Sequence, residues 1–225
     1  MKRTLLAAFA LLAAIGFTAL GIWQVERRVW KLDLIARVEA GIHAPPAPLP
    51  ARRSFDPRTQ EYRRVRLHGV FLYDRETLVQ AVTEHGAGFW VLTPLRTASE
   101  TVLVNRGFVP SAKTARWCGP DAQATVTGLL RATEPEGGFL RSNDPAANRW
   151  HSRDVAAIAQ ARGLGPVAPY FVDADAAPNP GGYPIGGLTV IAFRNNHLVY
   201  ALTWFALAAL SAAAAVLVLR QPKRR

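Results

Sequence analysis

One of the chain's five histidines stands where an imidazole is costly to keep. His197 opens a run, Asn195 to Leu219, that contains no Asp, Glu, Lys or Arg. Ionisable groups at membrane depth are expensive and tend to mark a function. On a helix turning about 100° per residue, Tyr200, Ala201, Trp204, Ala208, Ser211 and Ala215 fall within about 60° of His197. The remaining faces carry Leu198, Val199, Leu202, Phe205, Leu210 and Leu217. Two chemistries fit this face. In one, Tyr200 belongs to an interfacial aromatic belt and the alanines let a second helix approach closely. In the other, neutral imidazole is the axial ligand of a metal held in a flat apolar ring, with Trp204 against the ring. Imidazole is a usual ligand of haem iron. Trp204 lies roughly 10 Å deeper than His197 and fits a belt less well.

The rest of the chain offers little other chemistry. His43, His68, His85 and His151 are scattered at turns and strand ends and read as surface or locally bonded residues. No phosphate-cradling glycine loop, nucleophile elbow or His-x-x-x-His pair is present, and nothing argues for an enzyme or a catalytic residue. Cys118 is the single cysteine and Met1 the single methionine, which excludes an internal disulfide, a Cys-x-x-Cys site and clustered soft-metal ligands. The formal charge of +11 overstates the basicity of the middle of the chain. Six basic residues lie on the two tails and all sixteen acidic residues lie between the apolar runs, where the net charge is +5. Without a basic stripe interleaved with aromatics this does not point to nucleic acid; anionic lipid headgroups account for it more simply.

The elements that must position His197 follow from two apolar runs. Thr4 to Val25 is also free of charge, and each run exceeds the about 20 residues needed to cross a hydrocarbon core. Both should be helices, since lipid leaves the backbone to bond itself. The first run could be a cleaved signal peptide, but its length and its Gly21-Ile22-Trp23-Gln24 end favour a retained anchor. No mitochondrial presequence is visible before it, and a bacterial inner (plasma) membrane is the simpler setting. Arg220, Lys223, Arg224 and Arg225 outnumber Arg194 across the second run, whereas Lys2 and Arg3 face Arg27, Arg28 and Lys31 across the first. The positive-inside rule then puts both termini in the cytoplasm and the domain outside it, in the periplasm.

The expected organisation is a transmembrane helix over 4–25, a helical extension over 26–43, a Pro-rich linker over 44–51, an extracytoplasmic β-rich domain over 52–196 and a second transmembrane helix over 197–219. Val25, Val29, Leu32, Ile35 and Ala36 recur at helical spacing up to about Ala40, with Gly41 the expected stop. In the domain, strands are expected over 62–74, 77–83, 88–96, 101–109, 124–132 and 170–174, with a further one over 188–193. A helix over 152–162 should be capped by Ser152. The fold class is α+β: two transmembrane helices flanking a mainly antiparallel β domain, or small partly closed barrel, with one inserted helix.

Three stretches then resemble one family. Leu20-Gly21-Ile22-Trp23-Gln24-Val25-Glu26-Arg27, Val102-Leu103-Val104-Asn105-Arg106-Gly107-Phe108-Val109-Pro110 and Asn195-Asn196-His197-Leu198-Val199-Tyr200-Ala201-Leu202-Thr203-Trp204-Phe205 look like the Surfeit locus protein one family of cytochrome c oxidase assembly factors. Phe108 stands where that family usually has Trp, and the loop around Lys113 to Gln123, which carries Cys118, is variable. The resemblance implies a chaperone-like factor for a haem-copper oxidase of the respiratory chain, holding haem a and assisting its insertion into the large oxidase subunit. It maps the proposed haem ligand onto His197; Trp204 and Tyr200 lie on the same helical face and are expected as wall residues. Arg27, Arg28 and Arg194 are at the membrane surface, where Arg27 and Arg194 could pair with haem propionates, guanidinium being apt for carboxylates; anchoring to anionic headgroups explains these arginines equally well. The partners implied are the cytochrome c oxidase large subunit, haem a synthase and membrane lipid. The alternatives are a scaffold for oxidase subunits that does not bind haem and an unrelated membrane-anchored binding or sensor domain.

Overall fold

The computed structural model describes residues 2–112, 123–138, 141–177, 179, 182–191, 193 and 195–220. Arg194, Cys118 and the terminal Lys223, Arg224 and Arg225 lie outside the described residues. The chain forms two compact units, one of residues 1–37 with 191–225 and the other of residues 38–190.

The first unit consists mainly of helix α1, Lys2–His43, as far as Arg37, and a C-terminal helix, His197–Arg220. Both are long and apolar enough to cross a membrane. Within the unit, Ala7, Gly21 and Gln24 of the first helix and Ala201, Ala208 and Ala215 of the second are buried. Phe17, Trp204 and Ser211 extend these rows at the three- and four-residue steps of a helix seam. Large side chains such as Leu5, Phe9, Ile15, Leu202 and Leu210 point away and are exposed, as lipid-facing residues would be. Helix α1 continues past Gly41 to His43, and not to Ala40. Pro45 supplies the stop, because a proline pushes the residue before it out of the helical region.

The second unit is built on a six-stranded sheet: β1 Arg64–Phe71, β2 Thr77–Thr83, β3 Gly86–Arg96, β4 Thr101–Val109, β5 Gln123–Ala132 and β6 Val167–Ala174. The strand order is β1-β5-β6-β4-β3-β2. A short pairing of Val70 and Phe71 with Arg96 and Leu95 joins β1 to β3, closing five strands into a barrel and leaving β2 as a flap on β3. All pairings are antiparallel except β4 with β6. A short helix α2, Pro57–Gln60, precedes the barrel, and helix α3, Val155–Ala161, crosses between β5 and β6. The C-terminal helix of the other unit is α4 in this numbering.

Alternation along the strands sorts the core into two sides. Val65, Leu67, Leu95, Val102, Val104, Leu130, Tyr170 and Val172 come from all five barrel strands and fill its interior. Their odd-numbered and even-numbered neighbours Leu92, Leu103 and Phe171 face outward, where Val155 and Ile158 of α3, Trp150 and Val79 cover them. Helix α3 starts later than the residue pattern suggested. Asp154, not Ser152, is its cap, accepting from Ala157 N at 3.1 Å, while Ser152 Oγ accepts from Gly137 N and Asn143 Nδ2. The strand expected over 188–193 does not form among the described residues of that stretch. Strand β6 is already paired on both edges, so the segment after it cannot add to the sheet beside β6.

Candidate functional site

His197 is the first residue of α4 and is partly buried. Its Nδ1 lies 2.7 Å from Oε1 of Gln24, a residue 173 positions away on α1. An amide oxygen can only accept, so Nδ1 is the donor in this contact, and when the ring is neutral its lone pair is on Nε2. Among the described residues, none bonds that Nε2. Two turns further along, Trp204 stacks on Phe17 of α1 with ring centroids 5.6 Å apart and planes inclined at 22°. The pairs 24–197 and 17–204 show that the two helices run in opposite directions.

The small residues have a separate task. Ala201, Ala208 and Ala215 are buried in the seam with Ala7 and Gly21. A Cβ on Gly21 would lie 2.5 Å from the Phe205 ring, so this position tolerates no side chain while that ring stays in place. The alanine face is therefore occupied by helix packing. Tyr200 is 54% exposed and faces away from the seam. Arg27 is exposed too, with its guanidinium 4.1 Å from the centre of the Trp30 ring. Just before His197, Asn195 Oδ1 is buried with no hydrogen-bond partner, the one such side-chain atom among the described residues. Buried acceptors are rarely left unpaired, and an orphan beside a candidate ligand suggests a donor supplied from elsewhere.

Gln24 and Phe17 were the residues that sequence reasoning missed. Gln24 belongs to the Gly-x-Trp-Gln stretch and is the one amide inside the charge-free run of α1. Polar side chains on an apolar helix commonly bond across to a second helix, and that was the available signal.

The other histidines are locally bonded or surface groups where the structure pairs them: His43 with Glu39 at 3.0 Å and His68 Nδ1 with Thr125 Oγ1 at 2.7 Å. The Asn-Arg-Gly stretch of β4 is architectural. Gly107, at φ 131°, lies so close to the Ile185 carbonyl that a Cβ would meet its oxygen at 2.1 Å. Asn105 Nδ2 donates to Asp173 Oδ1 at 2.8 Å. Asp173 is almost wholly buried and also accepts from Arg131, Arg153 and Thr189. Burial draws the Arg131 pKa down, but the charges of Asp173, Tyr62 and Glu61 outweigh it and hold the guanidinium above its ordinary value. These groups line a cavity of about 190 Å³ in which both arginines already face carboxylates. A second cavity, about 350 Å³, at Phe71, Tyr73, Val104 and Arg106 opens on the barrel interior. Burial pushes the nearby Glu76 carboxyl up, against the pull of its bond from Thr93 and of Arg106 at 3.5 Å.

Two apolar terminal helices joined by a His–Gln pair, with a mainly antiparallel barrel between them in sequence, are the architecture of a two-pass membrane protein. The chain belongs to the SURF1 family, whose pattern it matches over residues 11–209. It is 38% identical to human Surfeit locus protein 1 over 224 residues, covering 88% of this chain and 72% of that one. The mouse protein of the same name is 38% identical over 225 residues, 89% of this chain and 71% of that one. A SURF1-like protein of Monosiga brevicollis is 38% identical over 224 residues, 92% and 84% of the two chains.

Proposed function

We propose that this protein is an assembly factor for cytochrome c oxidase that holds haem a as cargo and assists its insertion into the oxidase large subunit. The observation that carries this reading is the His197–Gln24 pair. Ligating histidines characteristically donate their second ring N–H to an acceptor, which fixes the tautomer and raises the basicity of the free nitrogen. Two turns beyond it, the stacked Trp204 and Phe17 rings offer apolar surface, and the orphaned Asn195 Oδ1 could accept from a hydroxyl on the ring. The donor set therefore suits a haem, whose iron Nε2 of His197 would hold. Arg27 and Arg194 are the candidates for the propionates, and Tyr200 for an outer wall reached by the edge of the ring. In this reading the termini are cytoplasmic in a bacterial inner membrane, the barrel is periplasmic, and haem a synthase is the source of the cargo. The protein itself transforms nothing.

The test is the absorption spectrum of the full chain purified from cells that make haem a. A Soret band that is lost in His197→Ala supports the carrier reading. Wild-type protein without bound haem refutes it and leaves a scaffold for oxidase subunits. Deletion of the gene should reduce assembled oxidase in either case.

A further inference from the structure

We infer that Gln24 is a positioning residue that sets the tautomer and ring orientation of His197 for ligation through Nε2, an inference that rests on the carrier reading above. Gln24 is only 9% exposed, although every other residue from Thr4 to Val25 is uncharged and most are apolar. A buried amide is costly unless its oxygen and N–H groups are met, and the oxygen is met by the His197 ring at 2.7 Å. The seam sets this contact. Gln24 follows Phe17 by seven residues and Gly21 by three on the face of α1 that packs in the unit. The ring that opposes Phe17 belongs to Trp204, seven residues after His197. Both pairs thus repeat at two helical turns, and the same packing that stacks Phe17 on Trp204 brings the amide to the imidazole.

The chemical consequence concerns the ligand atom. Without an acceptor at Nδ1, neutral imidazole would divide between two tautomers and rotate about χ2, so Nε2 would offer its lone pair for only part of the time. The Gln24 carbonyl removes the wrong tautomer and pins the ring. Loss of such an outer acceptor typically weakens metal binding roughly 10–100-fold. Gln24 would also tune the iron, because a stronger acceptor gives the imidazole more imidazolate character and strengthens its bond to the metal.

The experiment uses the full chain in detergent micelles, prepared without haem and titrated with ferric haem a. Affinity is read from the Soret band, and the iron–imidazole stretch from resonance Raman spectra of the reduced complex. Gln24→Leu should weaken binding roughly 10–100-fold and lower the stretching frequency of the haem that remains. Gln24→Glu keeps an acceptor, so it should bind within a few-fold of wild type and raise the frequency. If Gln24→Leu does not fold, the wild type and Gln24→Glu comparison decides alone: an unchanged frequency overturns the inference. So does a Gln24→Leu chain that binds haem through His197 with wild-type frequency, since an interhelical clamp alone would alter stability and not the spectrum. If wild type takes up no haem, or His197→Ala gives the wild-type spectrum, the carrier reading fails and this inference with it.

Discussion

Replacing Asp173 by Ala tests whether the buried charge cluster is held as the structure describes. The carboxylate accepts from Asn105 Nδ2 at 2.8 Å, Arg131 Nη1 at 2.8 Å, Arg153 Nη1 at 3.2 Å and Thr189 Oγ1 at 3.0 Å. Removing one partner of a buried ion pair costs about 3–5 kcal/mol, because the other charge is left unmatched. Here neither arginine is wholly orphaned: Arg131 keeps Glu61 at 3.3 Å, and Arg153 keeps Glu134. The lower end, about 3 kcal/mol, is therefore expected. For a unit of this size that corresponds to a fall in Tm of roughly 6–12 °C. Asp173→Asn retains an acceptor and the shape and should fall about half as far, since hydrogen bonds to a neutral group are weaker. The assay is thermal unfolding of the full chain in detergent, followed by near-ultraviolet circular dichroism. A loss of less than about 1 kcal/mol in Asp173→Ala is what an exposed ion pair gives, and it would refute the buried cluster.

Three further outcomes follow from other contacts. Gly21→Leu would drive a side chain into the Phe205 ring and spread the seam three residues from Gln24; an overpacking cost of about 1–3 kcal/mol and a reduced Soret band per protein are expected, and an unchanged Soret band would contradict the packing. Asn195→Ala deletes a side-chain oxygen that has no partner, so thermal stability should stay within about 1 kcal/mol of wild type while haem retention drops; equal retention would show that the orphaned acceptor meets no ligand. Burial alone would raise the Glu134 pKa, but its bond from Arg153 and the two guanidinium charges hold it below the ordinary glutamate value of 4.5. Its stabilising share is thus present above that value and is lost as the pH falls through the lowered one. The urea midpoint should decline with acid more steeply in wild type than in Glu134→Gln, and parallel declines would count against the pairing.

Patterns local in sequence were the readable ones. Two charge-free runs announced two membrane-length helices because lipid admits few other ways to satisfy a backbone. Alternating residues such as Arg64, Val65, Arg66 and Leu67 announced strands, since a half-buried strand must turn every second side chain to the core. Limits that depend on neighbours were misplaced. Asp154 took the helix cap because Ser152 was drawn into bonds with Gly137 and Asn143, and no strand formed over the described part of 188–193 because β6 had no edge left.

The candidate site divides in the same way. An imidazole at the mouth of an apolar helix is visible in a string of letters, and so is the Trp204 face below it. Which atom of His197 is available is not visible, because that depends on a partner 173 residues away. The sequence by itself determined that His197 would enter the membrane region on a helix with small residues beneath it. The tertiary structure alone decided that the alanines pack against α1 and that the Gln24 carbonyl accepts a hydrogen bond from Nδ1, which leaves the lone pair of the neutral ring on Nε2. Both are consequences of bringing α1 and α4 together, and no pattern within either helix contains them.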